Sequence, residues 1–241
     1  ECVISTIDDG EYTGTILTNV SSTHVYGAKA DETKRDEDSM EVKIDEKVSS
    51  REDVEKLGIN VGDYVYLYPG TWVTPSGFIK SRHLDDKACV AVLVGLVKYL
   101  KENNIKPKHT TNFFISNYEE LGHGSTAGLP EKTVEFISVD MAAPGTGQTS
   151  SEFKCTVCVK DSSGPYDKMM SEKFIKLARK NDIPYAIDIY PYYGSDASAV
   201  LRAGWNVRAA LIGPGVDSFE RTHKEAVDAT FKLALAYLLE D

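Results

Sequence analysis

In the first third of the chain, apolar positions alternate with polar ones in short bursts divided by turn-forming residues. Val3-Ile4-Ser5-Thr6-Ile7 and Tyr12-Thr13-Gly14-Thr15-Ile16-Leu17 flank Asp8-Asp9-Gly10-Glu11, a pattern that predicts a hairpin. Met40-Glu41-Val42-Lys43-Ile44 alternates as a half-buried strand does. Ser50, followed by Arg51-Glu52-Asp53, predicts a short serine-capped helix that stops at Gly58. Val61 to Tyr68 forms a further strand pattern, and the charged stretch Lys29 to Asp38 is expected to be an exposed loop.

The pattern changes near Gly77. Asp86 to Asn103 is apolar on nearly every side, which predicts a helix buried among other elements. Strands follow at 111–116, 134–139, 185–190 and 207–212, and helices at 171–181, 196–203 and 223–239. Helices alternating with short apolar strands point to an α/β sheet covered on both faces.

The chain has 241 residues, 41% hydrophobic and 27% charged, enough for one large domain or two modest ones. A formal net charge of -10 argues against a general nucleic-acid binder, which needs clustered Lys and Arg. No apolar run approaches the roughly 20 residues of a membrane span, and no signal-peptide pattern opens the chain. Neither nucleic acid nor membrane is therefore an expected partner. Four cysteines suit a reducing, cytoplasmic setting. Cys155 and Cys158 have C-x-x-C spacing, but no second Cys or His pair completes a zinc site and they sit in a strand pattern. They are expected to be ordinary thiols. The chain starts with Glu1, and Cys2-Val3-Ile4-Ser5 resembles the middle of a strand, so the natural N-terminus is expected to be missing.

The acids carry the chemistry. Asp85 and Asp86 stand before the buried helix, Glu119 and Glu120 follow the Phe113-Phe114-Ile115 strand, Asp140 ends the strand containing Val139, and His223 opens the last helix. Ligands of open α/β sheets collect beyond the carboxyl ends of the strands, where such groups converge. Converging carboxylates repel one another and raise their own pKa values unless cations are present. One or two divalent ions with an open position would resolve that conflict, and an adjacent unligated carboxylate could act as general base. Each residue also has an ordinary role open to it. Asp86 fits a helix cap or dipole partner equally well, Glu119-Glu120 a solvated turn, and His223 a cap. His24, His83, His109 and His123 are not expected to be ligands.

Five ordered motifs then add a resemblance. Ser81-Arg82-His83-Leu84-Asp85-Asp86-Lys87-Ala88, Ser116-Asn117-Tyr118-Glu119-Glu120-Leu121-Gly122-His123-Gly124, Val139-Asp140-Met141, Tyr193-Gly194-Ser195-Asp196-Ala197 and Glu220-Arg221-Thr222-His223-Lys224-Glu225 resemble the glutamyl and deblocking aminopeptidases of the tetrahedral-aminopeptidase family, once also named endoglucanases. The resemblance implies a zinc-aminopeptidase-like α/β/α catalytic domain, residues 80–241, incomplete on its N-terminal side. It also implies a smaller inserted, β-rich and barrel-like dimerisation domain, residues 1–79. It makes Asp85 the bridging metal ligand, Glu120 and His223 ligands of one ion, Asp140 a ligand of the other and Glu119 the general base. The implied cofactors are two divalent metal ions, zinc first and cobalt or manganese as alternatives. The implied substrates are peptides with a free N-terminus, with Tyr193 to Asp196 and Ile212 to Val216 lining their pocket. The implied assembly is a homo-oligomer of dimers reaching a dodecamer.

Two departures stand out. The family's upstream His-x-Asp has no match, since His24 lies inside the β segment, and the stretch Gly215 to Glu220 is a few residues short. If the protein itself lacks both, it is expected to bind one metal weakly or none and to be inactive. The alternatives to an aminopeptidase are an inactive relative that keeps the scaffold, or a metal-free glycoside hydrolase with two carboxylates.

Overall fold

The computed structural model describes residues 1–240 and divides the chain into two compact units, with the division at Pro69/Gly70. The boundary therefore lies ten residues before the expected 79/80, because residues 72–73 pair with 79–80 and residues 78–80 pair in turn with 221–223.

The first unit is built on four antiparallel strands. They are β1 (Cys2–Ser5), β2 (Glu11–Thr18), β3 (Met40–Ile44) and β4 (Tyr64–Leu67), in the order β3-β2-β1-β4. Cys2 faces Gly14 and Ser5 faces Glu11, the register of the predicted hairpin. Among the described residues β3 and β4 share no ladder, so the sheet is open and not the expected barrel. Short helices α1 (Thr23–Tyr26) and α2 (Ala28–Glu32) stand partly where a loop is expected, and bury no residue. Helix α3 (Arg51–Lys56) starts as the sequence implies, with the Ser50 side chain accepting from the Asp53 N–H at 3.2 Å. Ser50→Ala should cost about 1 kcal/mol of local stability. Faster amide exchange confined to α3 would show it, and unchanged exchange there would remove the cap from the account.

The second unit opens with β5 (Trp72–Val73) and β6 (Phe78–Lys80), which join β12 (Arg221–His223) in a small antiparallel sheet. Helix α4 (Leu84–Glu102) follows, then β7 (Glu135–Val139), β8 (Cys155–Asp161), β9 (Gly164–Pro165), α5 (Lys168–Lys180), β10 (Tyr185–Ile189), α6 (Asp196–Arg202), β11 (Arg208–Pro214) and α7 (Lys224–Leu239). The main sheet runs β10-β8-β11-β7, parallel except between β8 and β11, with β9 paired to β8.

Alternation along the central strands sorts two cores. Cys155, Val157, Ala210 and Ile212 face Val92 and Leu96 of α4, Phe174 of α5 and Leu233 of α7. Cys158, Ala209 and Leu211 face Ala197 of α6, with Tyr166 and Tyr190. A two-residue strand period thus sends the two C-x-x-C thiols to opposite faces, as ordinary buried thiols. The predicted strand 111–116 forms no ladder, although Phe113 still packs on the first core. Among the described residues β7 is the edge of the sheet, and the segment does not pair with it. Among the described residues no helix is long and apolar enough to cross a membrane.

Candidate metal centre

Asp140 lies just past the end of β7, and its backbone N–H donates to Ile212 O on β11 at 3.0 Å. The two backbones touch so closely that a Cβ on Gly213 would lie 1.5 Å from Asp140 O. Only glycine allows the strands to deliver Asp140 there. One carboxylate oxygen of Asp140 accepts from the Met141 N–H at 2.7 Å. Tyr193, whose hydroxyl donates to Met141 O at 2.9 Å, holds the same turn from the other side.

Asp85 and Asp86 arrive from the start of α4. Their backbone angles are non-helical and the peptide between them is cis, so the regular helix begins after them. Ligand atoms of Asp85, Asp86 and Asp140 all lie within 4.8 Å of one another. Asp86 belongs to this cluster and also serves the helix, since its carboxylate accepts from Cys89 one turn on. One oxygen of Asp86, Oδ1, is buried without a hydrogen-bond partner. A buried carboxylate oxygen with no donor is costly, and a cation is the partner that such an oxygen fits.

Electrostatics single out the same group. Burial, then the Glu120 charge, lifts Asp85 to about 6. Burial and then Asp140 push Asp86 to about 9. Asp140 is held well above the ordinary carboxylate range by burial first, then by Asp85 and Glu119. Glu119 is raised to about 7 by burial, then by Glu120, Asp196 and Asp85. The two glutamates occupy a one-turn 3-10 segment, Glu119–Leu121, bracketed by left-handed Tyr118 and Gly122. Glu119 is half-buried and Glu120 exposed. The set is a hard, oxygen-rich donor cluster with no cation among its side chains, which suits divalent ions.

The structure does not bring His223 to this cluster. Its Nε2 is 2.8 Å from Ser76 O, and its Nδ1 accepts from the Glu225 N–H at 3.2 Å, capping α7. Phe78 and Phe153 pack on the ring with centroids 4.9 Å away. Both nitrogens are thus spent on the fold.

The profile of the M42 glutamyl aminopeptidases matches residues 1–233. The chain belongs to the M42 glutamyl aminopeptidase family. It is 48% identical over 240 residues to a Bacillus subtilis (strain 168) protein named "Putative aminopeptidase YhfE", covering 98% of this chain and 69% of that one. In fold it is similar to the TET aminopeptidase of Thaumarchaeota archaeon SCGC AB-539-E09, with a TM-score of 0.83 at 17% identity. That match covers 98% of this chain and 69% of the archaeal one. It is also similar to the Pyrococcus horikoshii TET1 peptidase, described as assembling into a tetrahedron or a large octahedral shell. There the TM-score is 0.78 at 19% identity, over 100% of this chain and 72% of that one. As an M42 chain, the protein presents three of the five expected site residues, Asp85, Glu119 and Asp140, as mutually repelling acids, with Glu120 acting on Asp85 and Glu119.

Proposed function

We propose that the complete protein is a metal-dependent aminopeptidase that removes the first residue from peptides with a free N-terminus. The observation that carries this reading is the convergence of Asp85, Asp86 and Asp140 within 4.8 Å, with Asp86 Oδ1 lacking any other partner. Asp85, Asp140 and Glu120 would hold two divalent ions, with Asp86 as an additional donor, and zinc, cobalt or manganese all suit carboxylate oxygen. His223 joins the set only if its ring leaves Ser76 O. Such ions supply charge neutralisation and polarise a carbonyl or water in hydrolysis.

The chain's own residues account for the remainder. Glu119, half-buried and raised to about 7, can accept a proton from water near neutral pH. It can then return that proton to the departing amine, since the peptide nitrogen leaves only when protonated. Self-assembly of the complete protein, through dimers to a dodecamer, is part of the same proposal, as is a cytoplasmic location.

The test is a peptide library incubated with the complete protein and followed by mass spectrometry. Release of single residues from free N-termini, none from N-acetylated peptides, and arrest by chelator with recovery on added Zn²⁺, Co²⁺ or Mn²⁺ are expected. Chelator-resistant cleavage, or cleavage of acetylated peptides at the same rate, would overturn it.

A further inference from the structure

We propose that Asp196 is a positioning residue that clamps the turn carrying Glu119 and Glu120. The inference rests on the aminopeptidase reading above and adds to it a residue that touches neither substrate nor metal.

Asp196 is the first residue of α6 and is 8% exposed. Its carboxylate Oδ1 accepts from the Ser125 N–H at 2.9 Å, while the Ser125 hydroxyl donates to the Asp196 carbonyl at 2.7 Å. This reciprocal pair joins residues 71 positions apart. Ser125 is fully buried, yet the turn before it is not: Tyr118 is 64% and Leu121 69% exposed. Little apolar packing therefore fixes the turn, and the polar clamp is its buried attachment.

Gly124 shows how tight the attachment is. A Cβ there would lie 2.6 Å from Asp196 Oδ1 and 3.0 Å from Glu119 Cα. The carboxylate and the Glu119 backbone thus close on one gap that holds no side chain. Two weaker ties reinforce the same loop, as Arg202 Nη2 donates to Gly122 O at 3.3 Å and Trp205 Nε1 to Thr126 O at 3.2 Å.

The clamp has its own foundation. Ser195 caps α6 and takes part in a capping box with Ser198. Its hydroxyl lies 2.9 Å from the Tyr166 hydroxyl, which donates to Asp161 Oδ2 at 2.7 Å. Because the Tyr166 proton goes to Asp161, the Ser195 hydroxyl is the donor to Tyr166. All of these groups are buried, and a fully satisfied buried network has one geometry. Asp196 transmits that geometry from the sheet side of α6 to the carboxylates.

The test uses the complete, metal-loaded enzyme with Asp196→Ala, Asp196→Asn and Gly124→Ala. Asp196→Ala should speed amide exchange across 117–125 by about tenfold or more. Assayed at saturating metal, because Glu120 rides on the same turn, it should lower kcat by about 100-fold with KM within about twofold. Asparagine keeps an oxygen for the Ser125 N–H, so Asp196→Asn should restore the slow exchange and most of kcat. A general loss of folding would be no better corrected by Asn in kcat than in thermal stability. Gly124→Ala should reproduce the kcat loss with the carboxylate intact, and it decides the matter if Asp196→Ala does not fold. Unchanged exchange at 117–125 in Asp196→Ala, loosened exchange with wild-type kcat, or equal impairment of Asn and Ala variants would each overturn the proposal. If the wild-type enzyme releases no N-terminal residues, the aminopeptidase reading fails, and the exchange measurement alone still decides whether the clamp exists.

Discussion

Glu119→Gln is expected to lower kcat by about a thousandfold while leaving KM and metal content near their wild-type values. The substitution keeps size and hydrogen-bonding capacity and removes only the ability to take a proton. Glu119 is suited to that task because burial, followed by the charges of Glu120, Asp196 and Asp85, raises it to about 7. A base with its pKa near the working pH combines a sizeable ionised fraction with the strongest basicity compatible with it. Cations bound beside it would favour its ionised form, so the acidic limb of kcat/KM should fall at or below pH 7, with activity rising as Glu119 ionises. The amide variant, having nothing to ionise at this position, should lose that limb. If metal content fell with kcat, Glu119 would be a ligand. If the rate stayed within a fewfold of wild type, another group would be the base.

How far the sequence carried this picture depended on the range of the interaction that decided each point. Local periodicity sufficed for β3, for the Ser50 cap and for the alternation of β8 and β11, where each residue's face follows from its neighbours. Asp85 and Asp140 come together for a related reason, since ends of strands and starts of helices collect at one sheet edge, whereas Glu119 and Glu120 follow a segment that forms no strand. Asp86 was ambiguous because an acid at a helix start has two uses. The structure shows both uses at once, since the carboxylate accepts from Cys89 at the start of the regular helix while Oδ1 is left without a partner. The residue pattern of 111–116 promised a strand, but strand formation needs a partner that no local pattern contains. The boundary near residue 70 was set by β5 and β6 pairing toward β12, about 140 positions on. His223 was placed by a motif that gives its position in the chain but not its ring orientation, which Ser76 O and Glu225 decide. The Asp196–Ser125 clamp joins a residue of the fourth motif, expected there only as pocket lining, to a serine just past the second, and a pairing across 71 positions has no local pattern.

The acidic cluster also makes a strong prediction about stability. Asp85 at about 6, Glu119 at about 7 and Asp86 at about 9 all lie above the values of an unfolded chain, which are about 3.9 for Asp and 4.3 for Glu. In the metal-free protein the folded state therefore holds more protons than the unfolded state across this window. Stability is greatest below about pH 4 with respect to these groups and is lost as pH rises through the folded values. Each group costs about 1.4 kcal/mol per pH unit within its own window. Asp85 and Glu119 are partly exposed and solvent screens their share. The more deeply placed Asp86, raised to about 9, then accounts for a loss on the order of 4 kcal/mol between pH 5 and 8, and Asp140 acts in the same direction. At about 2–4 °C per kcal/mol, the metal-free Tm should fall by roughly 10 °C over that range. Saturating Zn²⁺ or Mn²⁺ should reverse the trend, because a cation favours the ionised carboxylates and binds more tightly as their protons leave. Thermal unfolding at pH 5 and pH 8, with and without metal, measures all four corners. A metal-free Tm independent of pH would mean that these acids do not repel one another as they stand in the fold. A pH-dependent Tm that no divalent ion corrects would mean that the cluster stores repulsion without being a metal site, and the proposed chemistry would fail with it.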